Sequence, residues 1–351
     1  MKILERAINA IKPLDEEAMA QAQARQDNLA KPTGSLGVLE DIVKQLAGIT
    51  QDPMPFLENK YLTVFAGDHG VTEEGVSTCP KEVTQQMITN FIKGGAAINV
   101  LCRHAGATVE VVDVGVAADI TIQGIRHMNV KKGTDNFTKG PAMNREEAIA
   151  AIEVGIRVAL EQTDKGAQLL ATGDMGIGNT TPSTAILCAF TDQAPSEVTG
   201  KGTGLNAEGI LNKIRVIEKG LALNQPDASD PIDVLAKVGG LEIGGIAGYI
   251  IGAASMRRPV IVDGFISSAG ALIAAHLAPQ SINYMLASHS SEEPGHNAML
   301  KAVGITPPLN LRMRLGEGTG GALTMTIVDA ACKIQREMAT FADAGVSKGC
   351  N

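Results

Sequence analysis

The stretch that decides the fold is Ala167-Gln-Leu-Leu-Ala-Thr-Gly-Asp-Met-Gly-Ile-Gly-Asn-Thr-Thr-Pro182-Ser-Thr-Ala-Ile-Leu. Its opening, residues 168–172, is a short apolar run suited to a buried strand. Its close suits a helix start, with Thr181 as the cap and Pro182 at the first helical position, where no amide hydrogen is needed. Between them Gly173, Gly176 and Gly178 form a turn free of side chains. Such a turn lets backbone N–H groups approach an anion, and the helix N-terminus adds partial positive charge. Asp174 is read into the same turn. A carboxylate beside a phosphate is useful only if it addresses another part of the ligand. The alternative reading is a tight strand-to-helix turn with a solvated aspartate, since glycine-rich turns of this kind are common.

Outward from this stretch, strand and helix signals alternate. Strands are expected at 61–66, 108–114, 125–130, 168–172, 259–263 and 282–287. Helices are expected at 80–92, 145–162, 182–190, 206–223 and 231–237, and from about 268. The apolar run 239–256 contains Glu242 and several glycines, so it reads as a buried helix packed closely on a neighbour rather than a membrane span. Strand, loop and helix repeated in this way predict an α/β fold, a doubly wound parallel sheet covered on both faces. Ligands of such sheets bind beyond the carboxyl ends of the strands. The polar or glycine-rich clusters 67–70, 173–181, 263–268 and 288–296 all fall there, which argues for one shared site. The segments 1–50 and 320–342 are helical without strands and are expected to pair into a smaller lobe. Pro53 and Pro55 mark the linker.

Composition narrows the function. The chain has 351 residues, 44% of them hydrophobic, and a formal net charge of −8. Three Tyr, seven Phe and no Trp leave few platforms for stacking bases, and the acidic balance disfavours a binder of nucleic-acid backbone. The five cysteines (79, 102, 188, 332 and 350) are scattered, odd in number and without a CxxC pair. A disulfide framework or structural zinc is not expected, and the thiols are read as reduced. The N-terminal Met1-Lys-Ile-Leu-Glu-Arg has no apolar signal core. A soluble, cytoplasmic protein is the expectation.

No Walker motif is present, and Gly176-Ile-Gly178-Asn-Thr-Thr lacks the third glycine of a dinucleotide fingerprint. Gly200-Lys-Gly-Thr-Gly204 supplies a second flexible loop, and Lys213 on the following helix could add charge. Two glycine loops and a lysine suit a monophosphate better than a triphosphate, because no Mg²⁺-binding carboxylate pair accompanies them. The bland reading of Lys213 is a solvated helix face. Asp263 resembles the strand-end acid of classical phosphoribosyltransferases, but a second acid and a Thr-rich loop are missing. Asp68-His69, His289 and His296 match no metal-ligand spacing and read as hydrogen-bonded loop residues. Ser77 and Gln85 flank a helix start and could bind a heteroaromatic ring, or serve only as cap and surface. Glu317 sits between glycines ahead of an apolar helix. Burial beside Met313 and Leu315 would raise its pKa and make it a base near neutral pH, while the helix N-terminus would act the other way.

Seven segments, in order, carry a resemblance. They are Lys31-Pro-Thr-Gly-Ser-Leu-Gly37, Ala66-Gly-Asp-His-Gly-Val71, Glu74-Gly-Val-Ser77 with Pro80 and Val83-Thr-Gln-Gln-Met87, Gly173-Asp-Met-Gly-Ile-Gly-Asn-Thr-Thr181, Val262-Asp-Gly-Phe-Ile266, Ser288-His through Glu293-Pro-Gly-His296, and Arg314-Leu-Gly-Glu-Gly-Thr-Gly320. Together they resemble the nicotinate-nucleotide–dimethylbenzimidazole phosphoribosyltransferase family over essentially the whole chain. The resemblance implies a Rossmann-like sheet of about six strands over residues 59–307, a small helical domain from 1–58 and 308–351, and a homodimer. It implies transfer of phosphoribose from nicotinate mononucleotide to 5,6-dimethylbenzimidazole or a related azole. The products are nicotinate and α-ribazole 5′-phosphate, in assembly of the cobalamin nucleotide loop. No cofactor, metal, nucleic-acid or membrane partner is implied.

On the matching positions Glu317 is the general base. Ser77 and Gln85 (or Gln86) contact the benzimidazole, and Met175 and Leu315 line its slot. Gly176, Gly178, Thr180, Gly202, Thr203, Lys213 and Ser291 hold phosphate and ribose, with Asp174 beside them. The family turn reads Gly-Glu-Met-Gly, so Asp174 is a departure, about one methylene shorter. Three other classes compete: a nicotinamide-dinucleotide oxidoreductase, a nucleotide-sensing module without chemistry, and one half of a heterodimer acting on phenolic acceptors.

Overall fold

A computed structural model describes residues 2–347; Met1, Cys350 and the rest of 348–351 lie outside it. Its centre is a sheet of six parallel strands. These are β1 (Lys60–Gly67), β2 (Ala107–Gly115), β3 (Arg126–His127), β4 (Leu169–Met175), β5 (Val260–Val262) and β6 (Met285–Ala287). Their order is β3-β2-β1-β4-β5-β6. The order reverses between β1 and β4, and a crevice opens at such a switch point. β4 is buried at every residue, as a strand covered on both faces requires. Leu62, Val64 and Ala66 of β1 feed one core cluster and Phe65 the other, so alternate side chains serve opposite layers.

One layer is held by two helices in near contact. Every residue from Leu241 to Ala254 of helix Leu241–Ser255 is buried, and it lies against helix Arg145–Asp164. A Cβ on Gly248 would stand 1.8 Å from Ile152 O, and one on Gly155 1.8 Å from Gly245 O. Only glycine lets the backbones approach so closely. No helix among the described residues is long and apolar enough to cross a membrane. On the other layer, helix Val38–Thr50 packs on helix Glu16–Gln26 and on helix Thr319–Glu337. Leu29 and Thr340 form an antiparallel bridge between the two terminal segments. Ile42, Val43, Leu46, Met325 and Val328 share one core cluster with Leu62 and Val64 of the sheet.

Several local expectations are corrected. β4 runs on through Gly173, Asp174 and Met175, which pair with Val64, Phe65 and Ala66 of β1, so Asp174 belongs to the strand and not to the turn. The next helix, Thr180–Phe190, starts earlier than expected. Its cap is Asn179, Thr181 Oγ1 is buried without a partner, and Pro182 is the third helical residue, still in the turn whose amides need no helical acceptor. Residues 279–284 form a 3₁₀ turn, and strand begins only at Met285, because β6 has just the three residues of β5 to pair with. The helix after β5 starts at Phe265, and the last long helix spans Thr319–Glu337, followed by the short helix Phe341–Ala344.

Candidate active site

A cleft of about 270 Å³ lies beyond the carboxyl ends of β4, β5 and β6. Loops from six parts of the chain meet there. Of the residues singled out from sequence, Ser77, Asp174, Met175, Gly176, Gly178, Thr180, Gly202, Thr203, Ser291, Leu315 and Glu317 all line it. Gln85 does not, and neither does Gln86. Their helix, Glu82–Ile92, instead presents Val83 and Met87, one turn apart, to the cleft. Gln85 lies midway between them, about 200° around the helix from either.

The anion side is built from glycine amides and one cation. Gly178 has φ +89° and Gly202 φ +51°, both left-handed. A Cβ on Gly176 would stand 2.3 Å from Gly67 O, so the turn needs glycine to rest on β1. Lys213 is not on a solvated face. It is fully buried beneath this turn and donates to Thr180 Oγ1 at 2.6 Å. Burial pushes its ammonium down to about 8, against the pull of Glu293. Glu293 Oε1 accepts the Gly202 amide at 3.2 Å, and its Oε2 is buried without a partner. A buried cation with one neutral acceptor is an arrangement suited to a bound anion. Thr203 ties this loop to the other wall, its Oγ1 accepting from the Thr78 amide at 3.0 Å and lying 3.1 Å from Ser77 Oγ.

Across the cleft, Glu317 is 7% exposed while its neighbour Leu315 is 58% exposed. Three successive residues, Gly316 (φ +81°), Glu317 (φ +63°) and Gly318 (φ +91°), are left-handed. For a glutamate that backbone is strained, and strain of this kind collects at functional sites. Glu317 Oε2 has no hydrogen-bond partner. Burial, and after it the charge of Asp263, push the Glu317 carboxyl up to about 7. Asp174 is buried too. Its Oδ2 accepts from Asn179 Nδ2 at 2.9 Å and its Oδ1 has no partner. Desolvation, with Asp263 nearby, holds it well above the usual carboxylate range.

The histidines divide between two places. His289 lines the cleft, with Nδ1 2.9 Å from Ser288 Oγ. His296 Nδ1 accepts the Ser291 amide at 2.9 Å, and burial with His289 beside it pushes the ring down to about 3. It is a neutral fixture that orients the 288–296 loop. Asp68 and His69 lie outside the cleft, on an adjoining cavity, with His69 Nε2 2.8 Å from Glu242 Oε1. No group of three or more His, Cys, Asp or Glu among the described residues is placed to hold a metal ion. Residues that line the cleft without having been expected include Val83, Met87, Ile177, Glu293 and Arg314. The helical spacing of Val83 and Met87 was a usable signal.

Comparison with known proteins follows the same outline. A phosphoribosyltransferase family model matches residues 11–346. The nicotinate-nucleotide–dimethylbenzimidazole phosphoribosyltransferase of Geobacter sulfurreducens is 56% identical over 350 residues, covering 99% of this chain and 99% of that protein. The enzyme of the same name from Desulforamulus reducens is 55% identical, covering 99% of this chain and 100% of its own. Among solved structures, a crystal structure of the nicotinate-nucleotide–dimethylbenzimidazole phosphoribosyltransferase from Thermus thermophilus matches with TM-score 0.90 and 43% identity. It covers 96% of this chain and 100% of that one.

Proposed function

This chain belongs to the nicotinate-nucleotide–dimethylbenzimidazole phosphoribosyltransferase family, and we propose that it transfers phosphoribose from nicotinate mononucleotide to 5,6-dimethylbenzimidazole or a related azole. The products are nicotinate and α-ribazole 5′-phosphate, a step in building the cobalamin nucleotide loop. The observation that carries the reading is Glu317: a buried carboxylate with a free oxygen and a near-neutral pKa, in the same cleft as a glycine cradle backed by a buried lysine.

The chemistry asks for little more. Nicotinate in the nucleotide is a cationic pyridinium, so its bond to the ribose carbon C1′ is already weak. That bond breaks with its electron pair going to the pyridine nitrogen, which becomes neutral. The azole nitrogen forms the new bond from the opposite face, inverting β to α. That attacking nitrogen is the one without hydrogen, and the proton on the other ring nitrogen passes to Glu317, leaving the ring neutral. Gly176, Gly178, Thr180, Gly202, Thr203 and Ser291, with Lys213 beneath, hold the phosphate and ribose. Ser77, Met175 and Leu315, with Val83 and Met87, form the slot for the ring. The working unit in this proposal is a homodimer, which sedimentation equilibrium tests.

The direct experiment incubates the protein with nicotinate mononucleotide and dimethylbenzimidazole and follows the riboside phosphate by mass spectrometry and its anomer by proton NMR. The α product is expected. No riboside phosphate, or the β anomer, would sink the proposal.

A further inference from the structure

One buried carboxylate at the site has no part in the reaction as described. Asp263 stands at the carboxyl end of β5, with no measurable exposure. Its Oδ2 accepts the amide of Gly318 at 3.0 Å, and its Oδ1 accepts that of Gly321 at 2.9 Å. Its own amide donates to Thr172 Oγ1 of β4 at 3.1 Å. Two strands are thereby tied to the first turn of helix Thr319–Glu337. Amides at that position have no acceptor within their own helix. Left open, they and the positive end of the helix would act on the carboxylate that directly precedes them in the chain, that of Glu317, and favour its ionised form. Asp263 occupies them instead. It also sets a like charge beside Glu317, which favours the protonated form.

We infer that Asp263 is the positioning residue of the base: it occupies the helix N-terminus so that Glu317 cannot use it, and it clamps the left-handed turn that carries Glu317 into the cleft. The inference rests on the proposed role of Glu317. The near-neutral titration of Glu317, for which Asp263 is the charge responsible after burial, agrees with it. The other charged or titratable groups around the cleft are Asp174 on β4, His289 and Glu293 after β6, Arg314 on the Glu317 loop itself, and Lys213 beneath the glycine turn. His289 Nδ1 lies 3.9 Å from Asp263 Oδ1. A Cβ on Gly320 would stand 2.0 Å from His289 Nδ1, so that ring packs against the same helix turn.

The test compares Asp263→Asn with the wild-type protein by infrared difference titration of the Glu317 carboxyl, using Glu317→Gln to identify its band. The midpoint is expected to fall by about one pH unit in the asparagine variant. The acid limb of kcat/KM should move with it. A midpoint that stays in place in the folded variant overturns the inference. If the midpoint moves and the rate profile does not, Asp263 tunes the carboxyl as inferred, and it is the base role of Glu317 that fails. Where the asparagine variant does not fold, Asp263→Ser, which keeps one acceptor and no charge, takes its place with the same expectation. In the wild-type protein the Gly318 and Gly321 amides are expected to exchange slowly with heavy water. Exchange as fast as that of an open loop overturns the clamp whatever the variants do.

Discussion

Gly173 lies directly under the backbone of Glu317: a Cβ at residue 173 would stand 2.6 Å from the Glu317 carbonyl oxygen and 2.9 Å from its carbon. Both atoms are main chain, so no side chain can swing aside. The end of β4 thus sets the height of the loop that carries Glu317, the proposed base. Gly173→Ala should lift that loop. Displacements near 1 Å at a reacting group cost about a hundredfold in rate. We expect kcat to fall by about that factor with affinity for nicotinate mononucleotide nearly unchanged, as read by steady-state kinetics and calorimetry. A variant with wild-type kcat would uncouple the strand from the base.

Glu317→Gln removes the proton acceptor and keeps the shape. Turnover should drop by more than about a hundredfold while nucleotide binding stays nearly intact. The pH profile gives a second reading. The base works ionised, and its carboxyl is pushed up to about 7, so kcat/KM of the wild-type enzyme should rise as pH increases through that value. This limb should be missing in the glutamine variant. Near wild-type turnover in Glu317→Gln would remove the residue from its role.

Lys213 is a fully buried lysine, proposed above to serve the bound phosphate. Its folded-state pKa is lowered from 10.5 to about 8, so between those values the unfolded chain binds more protons, and below about 8 the penalty of burying the charge is fully present. Lys213→Met should therefore raise the melting temperature of the ligand-free protein. It should also weaken nicotinate mononucleotide binding by roughly ten- to a hundredfold, the scale of a charged hydrogen bond. In the wild-type protein the nucleotide Kd should rise as pH climbs past about 8 and the ammonium is lost. Unchanged Kd in the methionine variant would refute the cradle.

The helix pair behind the sheet makes a prediction about stability alone. A Cβ on Gly248 would meet Ile152 O at 1.8 Å, deep in the core and far from any flexible group. Gly248→Ala should destabilise the fold by about 3 kcal/mol, read by urea titration. A change under about 0.5 kcal/mol would mean that the two helices slide apart freely.

Much of this was legible beforehand where chemistry is local. The apolar core Leu169-Leu-Ala171 and the glycines after it mark a buried strand and its turn, because parallel strands lack polar alternation. Glu317 could be singled out by the glycines on either side, Lys213 only as a charge on the helix after a glycine loop, and Ser291 only through the family resemblance. Their burial could not be read, because Lys213 is covered by Thr180 and Glu293, 33 and 80 positions away. The direction of the Glu317 shift was undecidable from its own segment for the same reason. The helix N-terminus and the apolar neighbours oppose each other there, and the burial that prevails, with the charge of Asp263 after it, comes from segments distant in the chain. Gln85 is polar, as suits a partner for a ring nitrogen, but of its helix it is Val83 and Met87 that line the cleft. Thr181 failed as a cap because the helix starts one residue ahead of it, with Asn179 in the cap position and its side chain given to Asp174.

The two halves of the cleft differ in how freely they can change. One half is main chain and a sealed-in lysine, where almost any replacement disturbs the core. The other half ends at Leu315, which is 58% exposed, and a rim residue in water can be exchanged with little consequence for folding. Single replacements at that rim would therefore reshape the mouth of the cleft and leave its floor as it is.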